Sequence, residues 1–126
     1  VIDALTIAHL GSAFLVLLVT GLMAAGFVRL SWYARGLIRH LAIGILTVHL
    51  AVFLRTLYRD VAPLIFDGGS LIFSDTGVLA VALVLNALIA LAGYHGLKAL
   101  YLAIPKEARA RYSLLTAALY PPLRRS

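Results

Sequence analysis

Three runs of apolar residues without formal charge organise this chain. The first, Ala4 to Val28, is 25 residues long. At about 1.5 Å per residue it exceeds the roughly 30 Å hydrocarbon core of a bilayer, which predicts a transmembrane helix over 4–28. The second, His40 to Leu54, has only 15 residues before Arg55, too few to cross if Arg39 and Arg55 both lie outside. The helix is therefore expected to run over 37–62, with Arg55 and Arg59, one turn apart, sending their guanidinium groups up to the interface. Pro63 and then Asp67-Gly68-Gly69-Ser70 are expected to end it, because proline lacks a backbone donor and the glycines favour a turn. The short apolar patch 71–73 is expected to dip into the interface. The third run, Thr76 to Leu97, is 22 residues long and predicts a span over 76–98. Asp75 stands as its expected N-cap and Lys98 marks its far end.

Between the first two runs lies the linker RLSWYARGLIRH, whose Trp32 and Tyr33 suit a headgroup region. After the third, Lys98, Lys106, Arg109, Arg111, Arg124 and Arg125 face a single acid, Glu107. Pro105 can open a further helix. Tyr101, Ile104, Ala108, Tyr112, Leu115 and Leu119 recur at helical spacing beside the basic residues, which predicts an interfacial amphipathic helix closed by Pro121-Pro122. The expected architecture is all-α: an integral membrane protein with a three-helix domain over 1–104 and a basic tail over 105–126.

Composition narrows the class. The chain is 126 residues, 63% hydrophobic and 13% charged, with a net charge of +6. Soluble domains carry about 25% charged residues, so an ordinary soluble enzyme, a disordered chain and a free nucleic-acid-binding module are all excluded. The absence of cysteine removes disulfides and thiolate metal sites. Asp3 stands where a secretory signal would carry positive charge, so the first segment is expected to be retained. Three basic residues follow the first run and six follow the third, whereas Arg55 and Arg59 share the middle loop with Asp60, Asp67 and Asp75. The positive-inside rule then places the N-terminus outside and the C-terminus in the cytoplasm. Three spans are consistent with that orientation. The basic tail has anionic lipid headgroups as its nearest partner, rather than nucleic acid.

Polar groups inside the runs are the candidate chemistry, since each costs free energy in hydrocarbon without a partner. His9, His49 and Asn86 fall about 9, 13 and 16 Å below the same end of their helices. They could meet in one layer, either lining a path or cofactor site or simply fixing packing by interhelical hydrogen bonds. His40 and His95 fall near the cytoplasmic ends of spans two and three, and two facing histidines are candidates for haem ligation. Arg55 and Arg59 read as interfacial anchors paired with Asp60, Asp67 or lipid phosphate, in company with Lys106, Arg109, Arg111, Arg124 and Arg125. No Walker loop, HExxH, CxxC or pair of intramembrane carboxylates is present, so no catalytic residues are expected and an enzyme is not. Small residues at four-residue spacing, Ala8 and Ser12, Gly21 and Ala25, and Ala82, Asn86 and Ala90, suit close helix packing or an oligomer.

A short chain with three spans, an outside N-terminus, an inside C-terminus and a basic tail ending in Arg124 and Arg125 resembles a class I phage holin in topology. The resemblance implies accumulation in the inner membrane, homo-oligomerisation through helix faces and permeabilisation that releases a cell-wall hydrolase. It also implies a regulatory role for the tail from Lys106 to Arg125. It supplies no catalytic residue, metal or cofactor. Two alternatives stay open. One is an accessory or anchor subunit of a respiratory or photosynthetic complex, with His40 and His95 or His9 and His49 binding haem or pigment. The other is a structural membrane protein of a virion.

Overall fold

The computed structural model describes residues 3–111 and Ser113. Its first helix, α1, covers Ala4–Tyr33 and carries the linker's Arg29, Trp32 and Tyr33 as its last turns. Asp3 caps it by accepting a hydrogen bond from the Thr6 N–H at 2.8 Å. The expected linker thus shrinks to Ala34, Arg35 and Gly36. Gly36 has φ +63°, a left-handed conformation that a Cβ disfavours; it turns the chain straight back into α2, Leu37–Thr56.

The second span does not end at Pro63. Beyond Thr56 the backbone widens into a π turn, Leu57–Val61, and continues as the short helix α3, Ala62–Ile65. The Ala62 N–H reaches the Leu57 carbonyl, five residues back. A proline ring presses on the preceding turn and offers no N–H to it. The wider turn accommodates that ring, so the helix runs on and stops at Phe66, whose backbone is extended. A 3-10 turn, Leu71–Phe73, follows; Tyr58 ties it to the second span by donating its hydroxyl to the Ile72 carbonyl at 2.9 Å.

The fourth helix, α4, covers Asp75–Ala103. Its N-cap is Ser74 rather than Asp75: the Ser74 hydroxyl oxygen accepts from the Gly77 N–H at 3.2 Å, and Asp75 is the first helical residue, where a carboxylate still meets the positive helix end. The segment after Pro105 is a turn and then a 3-10 turn, Arg109–Arg111, instead of the opening of an amphipathic helix. Arg109 folds back to donate to the carbonyls of Ile104 at 3.0 Å and Leu102 at 2.8 Å. It thereby satisfies orphan acceptors at the end of α4. The rest of the predicted tail helix, with Tyr112, Leu115, Leu119, Arg124 and Arg125, lies outside the described residues.

Helix α2 is the middle of the arrangement and packs against α1 on one side and α4 on the other. The buried apolar side chains among the described residues are Ala13, Ala42, Ala51, Ala62, Ala99 and Ile104, joined by Thr20, Thr47 and Thr56. Nearly all are small, so backbones approach closely and the large side chains point outward. The threonine hydroxyls that bond do so to their own helix, Thr20 to Val16 O at 2.7 Å and Thr47 to Ile43 O at 3.0 Å. Leu5, Phe14, Leu22, Leu64, Leu79 and Leu83 are each more than half exposed, an outward apolar surface of the kind that marks a membrane or partner contact. The helices over 4–33, 37–65 and 75–103 are all long and apolar enough to cross a membrane.

Candidate functional site

One carboxylate is buried among these helices. The Asp60 side chain, in the π turn, is only 4% exposed. Asp60 falls within the helix expected over 37–62 and is an expected partner of Arg55 and Arg59; what the structure adds is its burial, in a π turn rather than at an exposed interface. Two groups meet it. His9, from the second turn of α1, brings Nε2 to 3.0 Å from Oδ1. Arg59 donates from Nε to Oδ1 and from Nη2 to Oδ2, each at 3.2 Å. Consecutive residues on a helix do not face each other, so the Arg59 stem must bend back around the widened turn to make this two-pronged contact. A guanidinium on both carboxylate oxygens is among the stronger hydrogen-bond arrangements available to a protein.

A crevice of about 270 Å³ opens beside this triad between α1 and α2, lined by His9, Ser12, Val52, Arg55, Arg59 and Asp60 among others. Arg55 lies one turn before Arg59 on its rim. Its side chain is exposed and makes no hydrogen bond or ion pair with any described residue.

The other predicted site residues are distributed differently. His9, His49 and Asn86 do not form a hydrogen-bonded layer. His9 is engaged by Asp60, and His49 Nδ1 turns to the Ile45 carbonyl of its own helix at 2.8 Å. Asn86 lies exposed on α4, on a face away from Val81, Leu85, Leu88 and Ala92, the positions at seam-like spacing that are partly covered. Equal depth along three helices says nothing about direction around each axis, and α2 stands between the other two.

His40 and His95 do come together. Their Nδ1 atoms lie 2.9 Å apart and their rings stack with centroids at 5.1 Å and an interplanar angle of 25°. One nitrogen donates and the other accepts, so at least one ring is neutral at that atom. Tyr94 meets the His95 ring edge-on at 5.2 Å. Just beyond, α2 and α4 are in contact at Gly44, where an added Cβ would stand at ordinary contact distance, 3.5 Å from the Ala92 carbonyl oxygen and 3.8 Å from the Gly96 nitrogen. Rings in direct contact leave no slot for a porphyrin between them; the helices would have to part to admit one.

Among the basic residues assigned to the tail, Lys106 and Arg111 are exposed, while Arg109 is committed to α4. No group of three or more His, Cys, Asp or Glu that could hold a metal ion occurs among the described residues. No family model, curated protein or solved structure matches the chain.

Proposed function

We propose that this chain is an integral protein of a bacterial inner membrane, N-terminus outside, that works by lateral self-association and permeabilises the membrane in the manner of a holin. The observation that carries this reading is Asn86. It stands 11 residues into α4 from Asp75, about 16 Å along the helix axis, with no hydrogen-bond partner among the described residues and on an exposed face. In hydrocarbon an unpaired carboxamide is unfavourable, and the amide is both donor and acceptor, so two copies related by a two-fold axis satisfy each other. Interhelical bonds of this kind contribute on average about 0.6 kcal/mol in membranes. Ala82, Ala90 and Gly93 lie along the same stripe, also exposed, and let a second α4 come close. The row-like placement of α1, α2 and α4 supports the same reading, because α4 keeps one whole face free.

The absence of cysteine makes the test clean. Single Asn86→Cys and Gly93→Cys variants are expected to form disulfide-linked dimers in membranes under mild oxidation, whereas Leu88→Cys, on the α2 side, is not. Inducing the wild-type chain alone is expected to collapse the membrane potential. Cells that hold their potential at high expression would remove the permeabilising step even if the dimers form.

The His40–His95 pair favours a second reading, a small subunit of a larger membrane complex. It predicts purification in fixed stoichiometry with other chains, and, in its haem version, a Soret band in the purified protein.

A further inference from the structure

We propose that the crevice between α1 and α2 is a phosphate-binding site, with Arg55 as the principal ligand and Arg59 as the second. The charges set the need. Two guanidinium groups and one carboxylate line the crevice, and the carboxylate is already engaged by Arg59 and His9. Arg55 is left with all its N–H donors unused by the described residues. Depth sets the company it keeps. Helix α1 and the second span are 30 and 29 residues long, about 45 and 43 Å, so each exceeds a roughly 30 Å core by several ångströms at either end. Arg59 lies six residues before Ile65 and His9 six after Asp3, about 9 Å from their helix ends. The crevice therefore starts just under the headgroup layer and runs inward past Arg55, about 15 Å from the helix end, whose long side chain can reach back toward the interface. An uncompensated arginine there is costly, and lipid phosphate is the abundant anion.

Shape agrees with charge. The planar fork of Arg55 matches a tetrahedral phosphate through two parallel N–H bonds. Arg59 offers Nη1, which its contact with Asp60 leaves unoccupied, and Ser12 of α1 lines the opposite side of the crevice. Asp60 contributes by fixing the Arg59 side chain in place rather than by touching the anion. The crevice, about 270 Å³, accommodates a headgroup phosphate. The same chemistry would take inorganic phosphate. The proposal rests on the membrane placement given above and is independent of self-association.

The test uses the full chain purified in a maltoside detergent, which carries no phosphate. Dioleoyl-phosphatidylglycerol, dioleoylglycerol and inorganic phosphate are titrated separately while the unfolding temperature is followed. The expected result is a rise of several degrees with phosphatidylglycerol and none with dioleoylglycerol, because binding to the folded state alone stabilises it. Arg55→Gln is expected to weaken the response at least tenfold in lipid concentration, and Arg55→Lys less, since it keeps the charge and loses the fork. Arg55 is exposed and unpartnered, so circular dichroism of R55Q should match the wild type. A response to inorganic phosphate as large as to the lipid supports the site but assigns it to free anion. Equal responses to both lipids, no response, or an unchanged response in R55Q overturns the proposal. Flotation of the wild-type chain with vesicles tests the membrane placement separately.

Discussion

At the scale of single residues, Asp60 is the position whose surroundings most constrain substitution. Its carboxylate is buried and its partners are half-exposed. Removing a partner therefore leaves a charge with poor solvation rather than merely deleting a contact. Arg59→Leu is expected to lower the unfolding temperature in detergent, because it leaves the buried carboxylate without its two-pronged partner. The double variant with Asp60→Leu should lose less than the two single losses added together, which a double-mutant cycle on unfolding curves would check. Gly77 is constrained by space. A Cβ there would run into the backbone carbonyls of Leu71 and Ile72, neither of which can swing aside, so Gly77→Ala should displace the 3-10 turn and destabilise the chain by at least 1 kcal/mol. Asp3 supplies a pH effect. Hydrogen bonding to Thr6, through its hydroxyl and its backbone N–H, holds the Asp3 carboxyl below the usual carboxylate range. A lowered folded-state pKa contributes stability above the unfolded value and loses it as pH falls through the folded one. Protection of the Thr6 amide, measured against its intrinsic exchange rate, should accordingly fall on acidification below about pH 4, and Asp3→Asn should remove this pH step. Asp3, Asp60 and the guanidinium groups stand out in the sequence, and the Arg59–Asp60 pairing is legible there. The His9 contact is not, because it depends on the direction of two helices around their axes, and Gly77 is not, because its crowding comes from a turn that folds back on it.

At the scale of elements, the three helices long and apolar enough to cross a membrane were legible because long charge-free apolar runs of about 20 residues are a strong helix signal. Their ends were not. Helix α1 takes in Arg29 and α4 passes Lys98, since a charged residue terminates hydrocarbon and not hydrogen bonding. The π turn also had no signature beyond Pro63 itself. Restoring an N–H with Pro63→Ala should let the segment tighten into a regular α-helix. That change would rotate Asp60 relative to α1, so the His9 ring nitrogens, followed by NMR, are expected to shift as the carboxylate withdraws. Unchanged His9 signals would show that the π turn does not depend on the proline.

At the scale of the whole molecule, the order of the helices explains which predicted contacts formed. The two clusters that did form, His9 with Asp60 and His40 with His95, join α1 to the π turn that continues α2 and α2 itself to α4. A cluster of His9, His49 and Asn86 would have needed α1, α2 and α4 to converge on one line. Sequence reading fixes depth along each helix from chain position, but the direction around each axis is settled by small residues such as Ala42, Thr47 and Ala51 on α2. Cysteine pairs between α1 and α2 or α2 and α4 are therefore expected to cross-link within one chain, and pairs between α1 and α4 to do so far more slowly.

The three-residue connection Ala34 to Gly36 also has a mechanical meaning. It tethers α1 to α2 at one end, with a reach of at most about 10 Å, so any parting of the two helices must be a scissor motion pivoting near Gly36. His9 lies 25 residues from Ala34, a lever arm of about 37 Å along the axis. A tilt of about 10° at the pivot would carry His9 some 6 Å, well beyond hydrogen-bonding range. The carboxylate of Asp60 thus acts as a latch at the far end of a lever, and a small force applied there has the greatest leverage over the angle between the helices.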